Sequence, residues 1–117
     1  MAGRVARGDI RLCEFPAPDK PRPVLVLTRD WAAEYLTRLT VAPITSSIRD
    51  VPSQILLTES DGMKHACAVN LHNLVTVDKT RLGRRVAQLA PQRMREVCDA
   101  MAFALSCDGV PETKSVR

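Results

Sequence analysis

Short apolar segments bounded by turn residues make up most of the chain and predict a series of β-strands. The first, residues 8–15, alternates in polarity, which places Ile10 and Leu12 on one face of the strand and Arg11 and Cys13 on the other. Others are continuous aliphatic runs, which are typical of strands covered on both faces. The predicted strands are residues 8–15, 24–28, 39–44, 53–58, 66–77 (one long or bent strand) and 85–89.

The periodicity changes near the C-terminus, where it predicts a helix. From Pro91 to Ser106, apolar residues recur at helical spacing and form a single stripe. Pro91 suits the first position of a helix, and Gly109 lies just beyond its end. We expect the helix to pack on the core through this stripe, which consists of Met94, Val97, Cys98, Met101 and Leu105.

The segments between the strands carry turn and cap signals. Asp30 is expected to cap a short helical turn at residues 31–36, because Asp side chains accept hydrogen bonds from the first N–H groups of a helix. Residues 60–65 predict a turn, and residues 78–82 predict a tight turn or a one-turn helix. The loop 15–23 is rich in proline and should be stiff, since each proline fixes its own φ and restricts the preceding residue.

Strands followed by a terminal helix, in a chain of 117 residues, predict a mainly β fold. The specific expectation is a small, partly closed antiparallel barrel with a C-terminal α-helix. The length suits a single domain, which we assign to residues 1–107, and the polar segment 108–117 is predicted to be a flexible tail. Such barrels carry many functions, so the fold alone does not decide the activity.

Charge and composition bear on partners and location. The net charge is +4, with 17 Lys and Arg against 13 Asp and Glu, which favours an anionic partner without demanding one. Aromatic residues are only 3% of the chain, so few side chains could stack on bases. No apolar run approaches the roughly 20 residues needed to cross a bilayer, and residues 1–9 lack the apolar region of a secretory signal. We therefore expect a cytoplasmic protein with no membrane association.

The cysteines show neither a CxxC motif nor the pairing of a zinc site. His65 lies close to Cys67 in the sequence, but two ligands do not make a metal site. In a cytoplasmic chain we expect Cys13, Cys67, Cys98 and Cys107 to be reduced and mostly buried. The sequence predicts no metal and no cofactor.

Arg22 is the residue that a purely structural interpretation explains least well. It lies between Pro21 and Pro23, at the entrance of the aliphatic run 24–28. An arginine at such an entrance is most often a surface charge. Two flanking prolines, however, hold its backbone in a narrow range of conformations, which suits a side chain that must be positioned.

Several motifs, in order along the chain, resemble the MazF/PemK/Kid toxins. They are RGDI at 7–10, RPVLVL at 22–27, VAPITS at 41–46 and TVDKTRLG at 76–83, followed by the closing helix. The resemblance implies a homodimeric toxin of a type II toxin–antitoxin module, with an SH3-like barrel and a cognate antitoxin as partner. Most members are metal-independent, sequence-specific endoribonucleases, so the implied substrate is single-stranded RNA, whether mRNA, tRNA or rRNA.

The resemblance also implies two catalytic residues. The family's catalytic arginine begins the RPVLV strand and its catalytic Ser or Thr closes the API[TS] strand, which correspond to Arg22 and Thr45. Cleaving RNA through its own 2′-hydroxyl builds negative charge on the phosphoryl oxygens, which a preorganised guanidinium can stabilise. The Thr45 hydroxyl adds a neutral donor. Donation of a proton to the leaving 5′-oxygen is a second role open to Arg22.

The base that removes the 2′-proton is less evident from the sequence. Arg22 is poorly suited, because a guanidinium stays protonated at neutral pH. His72 is a candidate, since imidazole exchanges protons near neutral pH, although relatives commonly have an acidic residue there and a histidine on a strand is more often structural. Residues expected to contact RNA are Ser46, Ser47, Arg49, Asn73, Lys79, Arg81, Arg84 and Arg85.

Two other functions remain open at this stage. One is a non-catalytic gyrase inhibitor like CcdB, which shares the fold and binds gyrase through a Trp-Gly-Ile chain end. This chain ends KSVR, and its only tryptophan is Trp31. The other is a barrel that binds RNA without cutting it. The presence of both Arg22 and Thr45 favours the enzyme.

Overall fold

The structure, a computed structural model, describes residues 4–107 and 109, so the predicted tail lies outside the described residues except for Gly109. Within these residues, seven antiparallel strands form one sheet. The strands are β1 Asp9–Cys13, β2 Arg22–Val26, β3 Arg38–Thr45, β4 Gln54–Leu57, β5 Cys67–Asn70, β6 Val75–Asp78 and β7 Leu82–Gln88. The helices are α1 Asp30–Tyr35 and α2 Pro91–Ala104, with short 3-10 turns at Glu59–Asp61 and Lys79–Arg81.

The strand β3 organises the sheet, because it pairs with three other strands. Its first half, residues 38–41, pairs with β6, its middle pairs with β2, and Ile44 and Thr45 pair with β5. The order across the sheet is β4-β5-β3-β2-β1-β7. Over the described residues, the end strands β4 and β7 do not pair with each other. The result is the partly closed antiparallel barrel that the sequence predicts.

The prediction of one long strand at 66–77 is wrong, since the segment forms β5 and β6 with a turn at 71–74 between them. The Oδ1 atom of Asn70 accepts a hydrogen bond from the backbone N–H of His72 at 3.1 Å, a local bond that asparagine favours in turns. The turn lets β5 pair with β4 while β6 crosses to the first half of β3. Leu71 is fully buried within the turn, so the apolar pattern continues through it and conceals the break.

The prediction that Asp30 caps the first helix is also wrong. Helix α1 begins at Asp30 itself, its N-cap residue is Arg29, and no side chain caps it. The Asp30 carboxylate instead accepts a hydrogen bond from the backbone N–H of Arg7 at 2.6 Å. This tertiary bond connects the N-terminal segment to α1.

The one-turn helix predicted at 78–82 is confirmed by the 3-10 turn Lys79–Arg81. Asp78 caps it, because its Oδ1 atom accepts hydrogen bonds from the backbone N–H of Thr80 at 3.1 Å and from the Thr80 hydroxyl at 2.9 Å. These bonds, the backbone one most strongly, hold the pKa of the Asp78 carboxyl below its usual value. The charged carboxylate therefore stabilises this turn.

The hydrophobic core occupies both faces of the sheet. One cluster packs beneath α2 and includes Leu25 and Val97, and the other packs near α1 and includes Val24 and Ala33. Consecutive residues of β2 thus enter opposite clusters, which explains its unbroken aliphatic sequence. The prediction of a strand covered on both faces is confirmed here.

The helical stripe is confirmed for most of its members. Met94 and Val97 are buried, and Cys98 and Met101 are half-buried. Leu105 is exposed, because α2 ends at Ala104 and the chain direction changes there. Pro91 occupies the start of the helix, as predicted.

A buried ion pair connects β1 to its surroundings. The Nε atom of Arg11 lies 3.0 Å from Oδ2 of Asp9, and both side chains are almost completely buried. Arg11 also donates to the backbone carbonyls of Gly83 and Arg4, and Asp9 accepts from the backbone N–H of Ala6. This network joins the N-terminal segment to the strand that follows the 3-10 turn at 79–81.

The four cysteines are free thiols, with Cys13 and Cys67 buried, Cys98 half-buried and Cys107 exposed. Burial raises the pKa of the Cys13 and Cys67 thiols, so both stay protonated at neutral pH and are poor nucleophiles. None of the helices within residues 4–107 has the length and apolar character that a bilayer span requires.

Candidate active site

The antiparallel register of β2 and β3 brings Arg22 and Thr45 together. Val24 lies opposite Pro43 in this ladder. Arg22 precedes Val24 by two residues and Thr45 follows Pro43 by two, so both leave the ladder at the same end. Because side chains alternate along a strand, the spacing of two also directs them to the same side of the sheet.

Arg22 and Thr45 line one groove of about 700 Å³, called here the central groove. Its apolar walls include Leu12, Ile44, Met63 and Val86. Its polar lining consists of Arg22, Thr45, Ser46, Lys64, His65 and Arg84. No Asp or Glu is among the described residues that line it, so the groove combines three cationic side chains with no opposing carboxylate. Such a groove favours an anionic ligand.

Arg22 is exposed at the first position of β2, directly opposite Cys13 of β1. The next residues of the strand, Val24 to Val26, are completely buried and hold its backbone in place. Across the described residues, the Arg22 guanidinium forms neither an ion pair nor a hydrogen bond with another side chain. Its donors therefore face the groove without a carboxylate that would compete with a phosphate.

Thr45 is half-buried, and its hydroxyl has a defined orientation. The Oγ1 atom accepts a hydrogen bond from the backbone N–H of Ser47 at 3.0 Å. This bond uses a lone pair of the oxygen and leaves the hydroxyl hydrogen to donate to a ligand. Thr45 is thus arranged as a neutral donor beside a permanent cation.

A second cavity, of about 340 Å³, adjoins the central groove and shares Thr45 with it. We call it the side cavity, and its lining is Thr45, Ser47, Arg49, Val51, Gln54, Asn70 and His72. Gln54 stabilises its wall, because Oε1 accepts from the backbone N–H of Arg49 at 2.7 Å and Nε2 donates to the carbonyl of Ser47 at 3.4 Å. The cavity therefore has a polar lining and contains one cation.

The two cavities account for more than half of the residues that the sequence proposes as functional. Arg22, Thr45, Ser46 and Arg84 line the central groove, and Thr45, Ser47, Arg49 and His72 line the side cavity. Asn73, Arg81 and Arg85 are exposed but line neither cavity.

The side chain of Lys79 is hydrogen-bonded to the backbone of α1. Its Nζ atom donates to the backbone carbonyl of Ala33 at 2.7 Å and to that of Glu34 at 3.4 Å. These carbonyls lie in the last turn of α1, where a cation is favourable because it meets the negative end of the helix dipole. The lysine side chain therefore stabilises the end of α1.

The sequence interpretation missed Lys64 and His65, which line the central groove. Both belong to the predicted turn 60–65, which the structure confirms with a 3-10 turn and Gly62 at a φ of +94°. The turn carries the chain from β4 back to β5, the strand that pairs with Thr45, and so directs these side chains toward the end of β2. In the sequence, His65 stands out only by its closeness to Cys67, and no cluster of three or more metal-ligating side chains is found in the described part of the chain.

Comparison with known proteins identifies the family. The family model described as PemK-like, MazF-like toxin of type II toxin-antitoxin system matches residues 6–105. A Mycobacterium tuberculosis protein named Probable endoribonuclease MazF5 is 39% identical over 108 residues, which is 92% of this chain and 98% of the relative. Endoribonuclease MazF3 of the same species is 33% identical over 92 residues, 79% of this chain and 89% of the relative.

Solved structures agree with the sequence comparisons. The Mycobacterium tuberculosis toxin MazF-mt6 superposes with a TM-score of 0.77 at 30% identity, covering 84% of this chain and 96% of that one. A mycobacterial endoribonuclease in complex with its cognate antitoxin shares the fold, with a TM-score of 0.78 at 23% identity over 93% of this chain and 99% of that one. With its barrel and its matching motifs, the chain belongs to the PemK-like, MazF-like family of type II toxin–antitoxin toxins.

Proposed function

We propose that this protein is a sequence-specific, metal-independent endoribonuclease that cleaves single-stranded RNA and acts as the toxin of its module. The observation that carries the proposal is the joint placement of Arg22 and Thr45 in one groove whose described lining residues include no carboxylate. A guanidinium and a hydroxyl donor are suited to a phosphodiester, whose charge increases during cleavage. The names of the relatives, which are endoribonucleases, support the same activity.

The proposed reaction uses the 2′-hydroxyl of the RNA as its nucleophile. The 2′-oxygen attacks the adjacent phosphorus, the bond from phosphorus to the 5′-oxygen breaks, and the products carry a 2′,3′-cyclic phosphate and a 5′-hydroxyl. Arg22 stabilises the negative charge on the non-bridging oxygens, and Thr45 donates to one of them. His72 removes the 2′-proton from its position in the side cavity, which Thr45 also lines.

The RNA strand is proposed to run from the central groove into the side cavity, with its scissile phosphate at Thr45. Arg84 and Ser46 contact it in the groove, and Arg49 and Ser47 contact it beside the cavity. Cationic side chains attract the backbone without regard to sequence, whereas the amides of the side cavity can hydrogen-bond base edges. RNA contacts at Asn73, Arg81 and Arg85 stay predictions.

The proposed partners are a second copy of the chain and a cognate antitoxin, and the proposed location is the cytoplasm. An acidic antitoxin segment would complement the three cations of the central groove and would fold on binding there. The relative solved with its cognate antitoxin supports such a complex. We expect a gene for a small acidic protein immediately upstream. We also expect growth arrest when this chain is expressed alone. An isolated and harmless gene would contradict the toxin assignment.

The activity is tested by incubating the purified protein with a long RNA in the presence of EDTA and mapping the new ends. We expect cyclic phosphate and 5′-hydroxyl ends at a recurring sequence. Replacing the ribose before a mapped cleavage site by deoxyribose should stop cleavage there while binding persists, since the phosphates remain. Binding without any cleavage would indicate a non-catalytic RNA-binding barrel, and gyrase inhibition without RNA binding would indicate the CcdB-like function.

A further inference from the structure

Each histidine of this chain lines one of the two cavities that share Thr45, the proposed site of cleavage. The sequence contains only two, His65 and His72. His65 lines the central groove together with Arg22 and Thr45, and His72 lines the side cavity together with Thr45. Thr45 is a wall residue of both spaces, so each histidine shares one cavity with it. The sequence separation of the histidines gives no hint of this arrangement.

Attack by the 2′-hydroxyl requires two proton transfers that Arg22 and Thr45 are poorly equipped to perform. A base must remove the 2′-proton, and an acid must protonate the leaving 5′-oxygen. A guanidinium does not readily give up its proton, because it stays protonated at any physiological pH. A hydroxyl is a weak acid and a weak base. Imidazole can serve in either role near neutral pH.

The geometry of the displacement demands that the base and the acid lie on opposite sides of the phosphate. The attacking and leaving oxygens are roughly in line through the phosphorus in such a transfer. A single cavity would crowd both proton-transfer groups onto one side. Two cavities that share Thr45, each lined by one histidine, are compatible with this demand.

We propose that His65 is the general acid of the reaction and that it acts opposite His72, the general base. The inference rests on the proposed ribonuclease function. The side cavity, with the hydroxyl of Ser47 and the amides of Gln54 and Asn70, suits the nucleoside that carries the attacking 2′-hydroxyl. This places His72 beside the nucleophile and His65 on the side of the leaving oxygen.

The proton balance closes without any other reactant. The 2′-proton passes to neutral His72 as the bond from the 2′-oxygen to phosphorus forms. The proton of the His65 imidazolium passes to the 5′-oxygen as its bond to phosphorus breaks. The products are the cyclic phosphate and the 5′-hydroxyl, and the two histidines regain their starting protonation by exchange with water.

The surroundings of the two imidazoles differ in charge. The other titratable groups that line the central groove with His65 are the cations Arg22, Lys64 and Arg84 and the thiol of Cys67. Arg49 is the only other titratable side chain among the described residues that line the side cavity with His72. Among the residues described, neither cavity is lined by a carboxylate that would pair with an imidazole.

A substrate with sulfur in place of the scissile 5′-oxygen distinguishes the role of the general acid from that of the general base. A thiolate leaves without protonation, so it needs no general acid. On ordinary RNA, His65→Gln and His72→Gln should each lower the cleavage rate by about 10²–10⁴-fold. On the sulfur substrate, His65→Gln should cleave within a few-fold of the wild-type rate, whereas His72→Gln should stay slow. The alkaline limb of the wild-type pH–rate profile should also disappear with this substrate.

Controls keep the test independent of folding and of the proposed function. Gln92→Ala, on the exposed face of α2 and outside both cavities, should cleave like the wild type. Thermal unfolding reports whether each variant folds, and His65→Asn replaces His65→Gln if the latter does not. A wild-type protein that cuts neither substrate would refute the ribonuclease proposal itself. With an active wild type, His65→Gln at full rate on ordinary RNA, or at an equally reduced rate on both substrates, would overturn the role of His65.

Discussion

Arg22, the first residue of β2, and Thr45, the last residue of β3, leave their shared ladder at the same end and line the same groove. The guanidinium lacks a carboxylate partner among the described residues, and the hydroxyl accepts from Ser47 in a way that leaves its hydrogen to donate. The two side chains therefore present donors to one groove.

Removing the Arg22 guanidinium should slow cleavage without unfolding the protein. Arg22→Ala is expected to lower the single-turnover rate by about 10²–10³-fold, by analogy with the loss of one oxyanion-hole donor. Arg22→Lys should recover part of this loss, because it restores the charge but not the planar fork of donors. Arg95 is an exposed arginine of α2 outside both cavities, so Arg95→Gln is the matched control and should cleave at the wild-type rate. Wild-type activity of Arg22→Ala would reduce this residue to a surface charge.

The role of the Thr45 hydroxyl can be separated from that of its shape. Thr45→Ser keeps both the acceptor for Ser47 and the donor hydrogen, so it should retain most of the activity. Thr45→Val has nearly the same volume but no hydroxyl, and it should cleave more slowly, with a smaller loss than Arg22→Ala because a neutral donor is the weaker contributor. Rates are measured by single-turnover cleavage of a short RNA. Equal rates for the Ser and Val variants would exclude the hydroxyl from the reaction.

The salt dependence of RNA binding should distinguish cavity cations from structural ones. Arg84→Gln and Arg49→Gln should each reduce the slope of log affinity against log salt concentration by about 0.7, the value for one phosphate contact with a single strand. Lys79→Gln should leave this slope unchanged and lower the melting temperature, because Nζ of Lys79 donates to the carbonyls at the end of α1. Filter binding across a salt series provides the measurement. If only Lys79→Gln changed the salt slope of RNA binding, Lys79 would be the phosphate contact, and Arg84 and Arg49 would not be.

The Asp9 carboxylate should be essential to stability. Asp9→Ala removes the buried carboxylate that pairs with the Arg11 guanidinium and is expected to lower the free energy of unfolding by about 3–5 kcal/mol. The exposed pair of Arg4 and Glu34 is the control, and Glu34→Ala should cost about 1 kcal/mol or less. Urea denaturation of the two variants gives both values. Similar losses for the buried and the exposed pair would contradict this account of the network.

Acid should weaken the cap that Asp78 forms on its 3-10 turn. Hydrogen bonds from Thr80 hold the pKa of this carboxyl low in the folded protein, so its stabilisation is complete above the unfolded pKa and is lost as the pH falls through the folded one. The difference in melting temperature between the wild type and Asp78→Ala should stay constant from neutral pH down to about 5 and narrow below about 4. Asp78→Asn, which cannot titrate, should differ from Asp78→Ala by the same amount at every pH. A difference in melting temperature between the wild type and Asp78→Ala that widens in acid would contradict a lowered pKa of Asp78.

Sequence periodicity was reliable wherever a segment depends on its own neighbours. The aliphatic run after Arg22, the helix that starts at Pro91 and the 3-10 turn after Asp78 each follow from local rules of burial, capping and proline geometry. Local rules failed where a tertiary partner competed. Asp30 does not cap α1, and its carboxylate instead accepts a hydrogen bond from the backbone N–H of Arg7. The predicted strand at 66–77 divides because its two halves pair with different strands.

By itself, the sequence determined the types of most elements and the overall fold class and, through its motifs, singled out Arg22 and Thr45 as candidate catalytic residues. The spacing of hydrophobic residues and the residues of a motif are local properties, so both can be read directly from the sequence. Only the tertiary structure decided which polar residues share a space: His65 joins Arg22 in the groove, His72 enters the adjoining cavity, and Lys79 stabilises α1. The physical reason is that strand register and turn direction place distant residues side by side, and neither is written in the spacing of any one segment.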